Sequence, residues 1–146
     1  MADYTERFSE VAAYLGGIDP ASYTTEQNTG YVSLANYHRA VIIIHAGVLQ
    51  DTIDVDVEAA QDTSGTGPGS FDSASKDITL TLTTDNDTVS VIEIRPEELD
   101  IDGGDHCINL EMTPGGQNGS IFGAQIWGLV PRFAPVATTG LDSVTD

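Results

Sequence analysis

The feature that most constrains the fold of this chain is its series of short segments with a period of two. Ile53, Val55, Val57 and Ala59 alternate with Asp54, Asp56 and Glu58. That spacing puts the apolar set on one face of a strand and the carboxylates on the other. Ile78, Leu80 and Leu82 alternate with Thr79, Thr81 and Thr83, and the same pattern returns in Val89 to Ile94 and His106 to Met112. Arg39 to Ala46 is apolar at nearly every position, which predicts a central strand buried on both faces. Tyr31 to Leu34 and Ile121 to Val130 complete a set of about seven strands. Between them lie turn formers. Asp85-Asn86-Asp87 is expected to close a hairpin, Pro96 to end a strand, and Pro114-Gly115-Gly116 to make a further turn. Turn signals at roughly 8–12-residue intervals read as an all-β sandwich or barrel. Strands do not alternate with full helices, so a parallel α/β sheet is not expected.

The fold class expected is therefore all-β: a single antiparallel β-sandwich, jelly-roll-like, with an extended or short-helical N-terminal arm. Phe8, Val11, Ala12 and Leu15 recur at helical spacing, which predicts a short helix within residues 4 to 15, stopped by Gly16-Gly17. An irregular docking arm is the alternative. Residues 18 to 30 read as an extended lead-in, and 61 to 75 as a Gly/Ser/Thr loop. The organisation expected is an arm over 1–29, a sandwich over 30–136 and a tail over 137–146. A chain of 146 residues is long enough to bury one core without staples. Its one cysteine, Cys107, excludes an internal disulfide framework and reads as a small buried hydrophobe. The first residues lack the pattern of a secretory leader, and no apolar run reaches the length of a membrane span.

Charge narrows the partners. Arg7, Arg39, Lys76, Arg95 and Arg132 face 23 Asp and Glu, for a net charge of -18. Nucleic acid and anionic membrane are poor partners, since both need clustered Lys and Arg. An acidic surface with one lysine fits either simple solubility or a halophilic chain, in which salt screens the self-repulsion. Asp100, Asp102 and Asp105, set around Gly103-Gly104, form a weak candidate for Ca²⁺, but the segment lacks a full cation loop and reads more simply as a solvated turn. Asp54, Asp56 and Glu58 read as a wet strand face. His38, His45 and His106 show no ligand spacing, no Gly-x-Ser-x-Gly elbow is present, and Gly65 to Gly69 lacks the residues of a phosphate loop. Asn86-Asp87-Thr88 and Asn118-Gly119-Ser120 match the glycosylation acceptor pattern and are taken as chance. No catalytic residue, cofactor or resident metal is expected.

Several stretches, in order, resemble small structural proteins of tailed viruses of bacteria and archaea. They are Gly30-Tyr31-Val32-Ser33-Leu34 with Asn36-Tyr37, the strand to His45-Ala46-Gly47, and Thr52 to Asp62. Glu98-Leu99-Asp100-Ile101-Asp102-Gly103-Gly104 and Pro131-Arg132-Phe133-Ala134-Pro135-Val136 follow. No piece is specific alone; their order carries the resemblance, which covers residues 30 to 136. It implies a non-enzymatic virion protein on the outer surface of the head, of capsid decoration, minor capsid or vertex (turret) type. It also implies contacts with the major capsid protein and other virion proteins, and a homo-oligomer, trimer or pentamer. Phe8, Val11, Tyr14, Leu15, Ile18 and Arg132 are the expected partner-interface residues. A tail or connector component, and a β-sandwich carbohydrate-binding or adhesion module, are the alternatives.

Overall fold

The computed structural model describes residues 7–69, 76–133 and 141. A single helical turn, α1 (Phe8–Val11), leads straight into β1 (Ala12–Tyr23). Then follow β2 (Gln27–Asn28), β3 (Val32–Ser33), β4 (Tyr37–Ala46), β5 (Ile53–Ala60), β6 (Ile78–Leu80), β7 (Val89–Ile94), β8 (Cys107–Pro114) and β9 (Ser120–Pro131), with a 3₁₀ turn at Pro96–Glu98. Two antiparallel sheets result. The first has the order β1-β9-β4-β7, and the second β2-β8-β5-β6, with β3 also on β8. The ladders are nested: β1 pairs with β9, β2 and β3 with β8, β4 with β7, and β5 with β6. The chain is thus one long hairpin wound across two sheets, which is the jelly-roll arrangement of an all-β sandwich.

The core is the filling between the sheets. Ile42 and Ile44 of β4 with Phe122 and Ile126 of β9 face Ile53 and Val55 of β5 with Leu110 and Met112 of β8. Each such side chain withdrawn from water contributes about 1.5–3 kcal/mol before entropy is counted. Ile53, Val55, Val57 and Ala59 are buried as their alternation predicts.

Three expectations change. The helix over residues 4 to 15 shrinks to α1, and residues 12–23, placed in the arm by the sequence, enter the first sheet along β9 from Ala12↔Leu129 to Tyr23↔Ser120. One helical turn is too short to propagate, whereas β1 inserts Ala12, Ala13 and Ile18 into buried positions. Gly16-Gly17 is no helix stop. A Cβ on Gly17 would stand 2.5 Å from the Ala124 carbonyl oxygen, so the backbones pass too closely for a side chain. The expected hairpin between 78–83 and 89–94 does not form: β6 lies in the second sheet and β7 in the first. The Thr81 N–H donates to Asp85 Oδ2 (2.6 Å) and the Asp85 N–H to Thr81 O (2.9 Å), so the chain turns after Leu80 and crosses the sandwich. Finally, β4 is fully buried on one face only; Ala40, Ile42, Ile44 and Ala46 are inside, while Val41 and Ile43 are half-buried. The second half of the 61–75 loop and nearly all of the tail lie outside the described residues.

Candidate functional site

The outer face of the first sheet is the most distinctive surface. Its side chains follow from register. Tyr14, Trp127, Val41 and Glu93 form one row across β1, β9, β4 and β7, and Gln125, Ile43 and Val91 form the next. A third row holds Gly123, His45 and Val89. Trp127 is the centre of an aromatic group, with the Phe8 ring 5.1 Å and the Tyr14 ring 5.5 Å from it, centroid to centroid. Its Nε1–H donates to Gln125 Oε1 at 2.9 Å, which fixes the indole. Phe8 is 63% exposed, and Val89 and Val91 are each 57% exposed. Beside this group lies a cleft of ≈ 330 Å³ lined by Tyr14, Asp19, Ile43, His45 and Gln125 among others.

The cations gather at one end of the same sheet. A second cleft, of ≈ 340 Å³, is lined by Arg39, Lys76 and Arg95 together with Glu93, Glu98 and Leu129. Arg132 follows β9 at this end, and its backbone N–H donates to Asn36 O at 2.8 Å. Glu98 is held below the ordinary carboxylate range, first by the Arg95 backbone N–H, which donates to Oε2 at 2.8 Å, and then by the Lys76 ammonium at 3.0 Å.

The outer face of the second sheet is the opposite in character. Asp54, Asp56 and Glu58 of β5 are joined there by Glu111 of β8, directly across from Asp56. Partial burial and the neighbouring Asp77 and Asp54 push the Asp56 carboxyl up, and partial burial with Glu58 and Glu26 does the same to Glu111. The Tyr31 hydroxyl donates to Glu58 Oε2 at 2.6 Å; burial first and this carboxylate second push the phenol well above its ordinary range.

Of the expected interface residues, Phe8 and Tyr14 come together on the exposed aromatic group, Val11 is half-buried, and Arg132 is exposed. Ile18 is a core residue, and Leu15 is half-buried against the core. Trp127, within the strand expected over Ile121 to Val130 but not singled out in the sequence, is half-buried on the outer face. Its signal was present: Gln125 and Trp127 are two apart, so a polar residue shares the tryptophan's face.

In the acidic turn, Asp100 Oδ1 accepts the Gly103 N–H at 2.8 Å, and the Asp105 N–H donates to Asp100 O at 2.8 Å, so Asp100 closes the turn. Asp102 is exposed at its tip. Among the described residues no group of three or more His, Cys, Asp or Glu side chains is placed to hold a metal ion. His38, His45 and His106 stand apart, His45 on β4 and His106 with Nδ1 3.1 Å from Gly104 O. Cys107 is a buried free thiol whose pKa burial raises.

No protein-family model and no curated protein matches the chain. Among solved structures it is similar to a family 11 carbohydrate-binding module of a cellulosomal cellulase of Clostridium thermocellum, at 18% identity over 77% of this chain and 73% of that one, with a TM-score of 0.40. It is also similar to Desmodium yellow mottle tymovirus, at 12% identity over 83% and 87% with a TM-score of 0.41. The tobacco streak virus coat protein is similar at 9% identity over 99% and 100%, with a TM-score of 0.42.

Proposed function

We propose that this chain is a non-enzymatic structural subunit of a tailed virus, held on the outer surface of the head as a decoration, minor capsid or vertex protein. One observation carries the reading: the two outer faces of a rigid sandwich differ sharply. The first sheet exposes Phe8, Tyr14, Trp127 and Val91 with Arg39 and Arg95 nearby; the second presents Asp54, Asp56, Glu58 and Glu111. An exposed aromatic and apolar face is the mark of a docking surface. An acidic face is suited to solvent on a crowded particle. The jelly-roll topology and the ordered resemblance over residues 30 to 136 support the same reading. The first sheet then meets the major capsid protein, with Phe8, Tyr14 and Trp127 as anchors and Arg132 at the cationic end of the same sheet.

Mass spectrometry of purified virions, full and empty heads separately, tests this. The protein is expected in both. A Phe8→Ala/Trp127→Ala double variant is expected to keep its strand-dominated circular dichroism and to be lost from heads. Presence in tail fractions alone gives the tail or connector assignment, and absence from virions removes the structural reading.

A second reading draws on the cleft beside Trp127. Tyr14 and Trp127 supply ring surface, and Asp19, His45 and Gln125 supply polar groups, the combination that a glycan site needs. Titration with soluble neutral polysaccharides tests it, with Trp127→Ala as the control that abolishes binding.

A further inference from the structure

We propose that two copies of this chain join through β7, edge to edge and antiparallel, continuing the first sheet across a two-fold axis. β7 is the outermost strand of that sheet, and no described segment pairs with its far side. The other edges are protected. β1 is broken by two register shifts and carries Gly16, Gly17 and Pro20; β2 is two residues long and β6 three. β7 is six residues, regular, with no proline or lysine and a single charge, Glu93, and it exposes Val89 and Val91 at 57% each. A regular, mostly apolar edge of this length is a template for another strand.

The backbone says which groups are free. The Thr88 carbonyl accepts the Ala46 N–H at 2.9 Å, so alternation directs Ser90, Ile92 and Ile94 toward β4. The N–H and C=O of Val89, Val91 and Glu93 therefore point away from β4, on the side where no described segment pairs. A two-fold at Val91 pairs those groups with their counterparts, Val91 against Val91 and Val89 against Glu93.

Strand length selects this register. It uses all three outward-facing residues within β7, whereas moving the axis by one residue leaves Glu93 opposite Asp87, in the preceding turn with a φ of 55°, or Val89 opposite Arg95, beyond the strand's end. The outer face also becomes continuous, since Ile43 lies beside Val91 in each copy.

The contact does not depend on the virion reading: a chain absent from particles still dimerises by it, and a head protein without it is still a head protein. Sedimentation of the full chain in molar salt, where screening removes the mutual repulsion of two acidic molecules, tests it. The wild type is expected to be a dimer. Val91→Pro is expected to be a monomer with unchanged circular dichroism and melting, because the lost N–H is one that β4 does not use. Val91→Lys, which keeps the N–H and sets like charges together at the axis, is the second variant and is expected to be monomeric too. A monomeric wild type overturns the proposal, as does an oligomer that both variants leave intact.

Discussion

Asp56 on β5 stands directly opposite Glu111 on β8, and the two carboxylates leave the same face of the second sheet. Both pKa values are raised, by partial burial first and then by neighbouring carboxylates. A raised carboxyl pKa means that the folded state holds its proton more tightly than the unfolded chain. The pair therefore costs stability once pH has risen through the folded values, and the cost is relieved as pH falls back through them. Asp56→Asn is expected to stabilise the protein at neutral pH and low salt by about 0.5 kcal/mol, the scale of a like-charge cross-strand pair. The gain should vanish below the ordinary carboxylate range. Urea melts of wild type and variant across that range measure it.

Glu98 has the opposite sign. Its pKa is lowered, so its contribution is present above the ordinary carboxylate range and lost as pH falls through the folded value. Glu98→Gln removes the charge that binds Lys76 and weakens the acceptor for the Arg95 N–H. A loss of about 1 kcal/mol at neutral pH is expected, shrinking on acidification. Thermal melts at two pH values separate this from a general packing defect, which pH would not modulate.

Gly17 tests whether β1 belongs to the sandwich. A Cβ there would meet Ala124 O at 2.5 Å and the Tyr14 hydroxyl oxygen at 2.6 Å. Gly17→Ala is expected to destabilise by about 1–3 kcal/mol, the range for forced overpacking. If residues 12–23 were a detached arm, the substitution would be neutral or slightly stabilising.

Salt adaptation is the proposed meaning of the charge of -18. The melting temperature is then expected to climb through the molar range, past the point where ordinary screening saturates. Scanning calorimetry from low to multimolar salt decides, and a flat profile leaves solubility as the whole account.

Much of the sandwich was legible because period-two alternation reports a face directly. Ile53 to Ala59 needs no other information, and Ile121 to Val130 is long enough to announce itself. What the sequence hid was pairing. Ile78 to Leu82 and Val89 to Ile94 look like hairpin partners because they are adjacent and a turn divides them, yet the Thr81–Asp85 bonds redirect the chain into the other sheet. β1 was hidden by its composition. Gly16, Gly17 and Pro20 are strand breakers by propensity, and only the close passage over β9 makes the glycines a requirement. The docking face was half legible: Phe8 and Tyr14 were singled out, but Trp127 joined them only when β9 was seen to turn it outward, and Ile18 proved to belong to the core.

The position of β9 between β1 and β4 has a consequence for biosynthesis. β9 is made after all the other described strands, and without it β1 and β4 have no common neighbour. β5, β6 and β8 can pair as they emerge, but Ile42 and Ile44 then wait beside an unfinished layer, open to wrong partners until the final strand arrives. Closure of the first sheet is thus gated on the synthesis of β9. A copy that stops short of β9 would lack Trp127, the centre of the aromatic group, so the order in which the strands are made would keep such a copy from docking through that face.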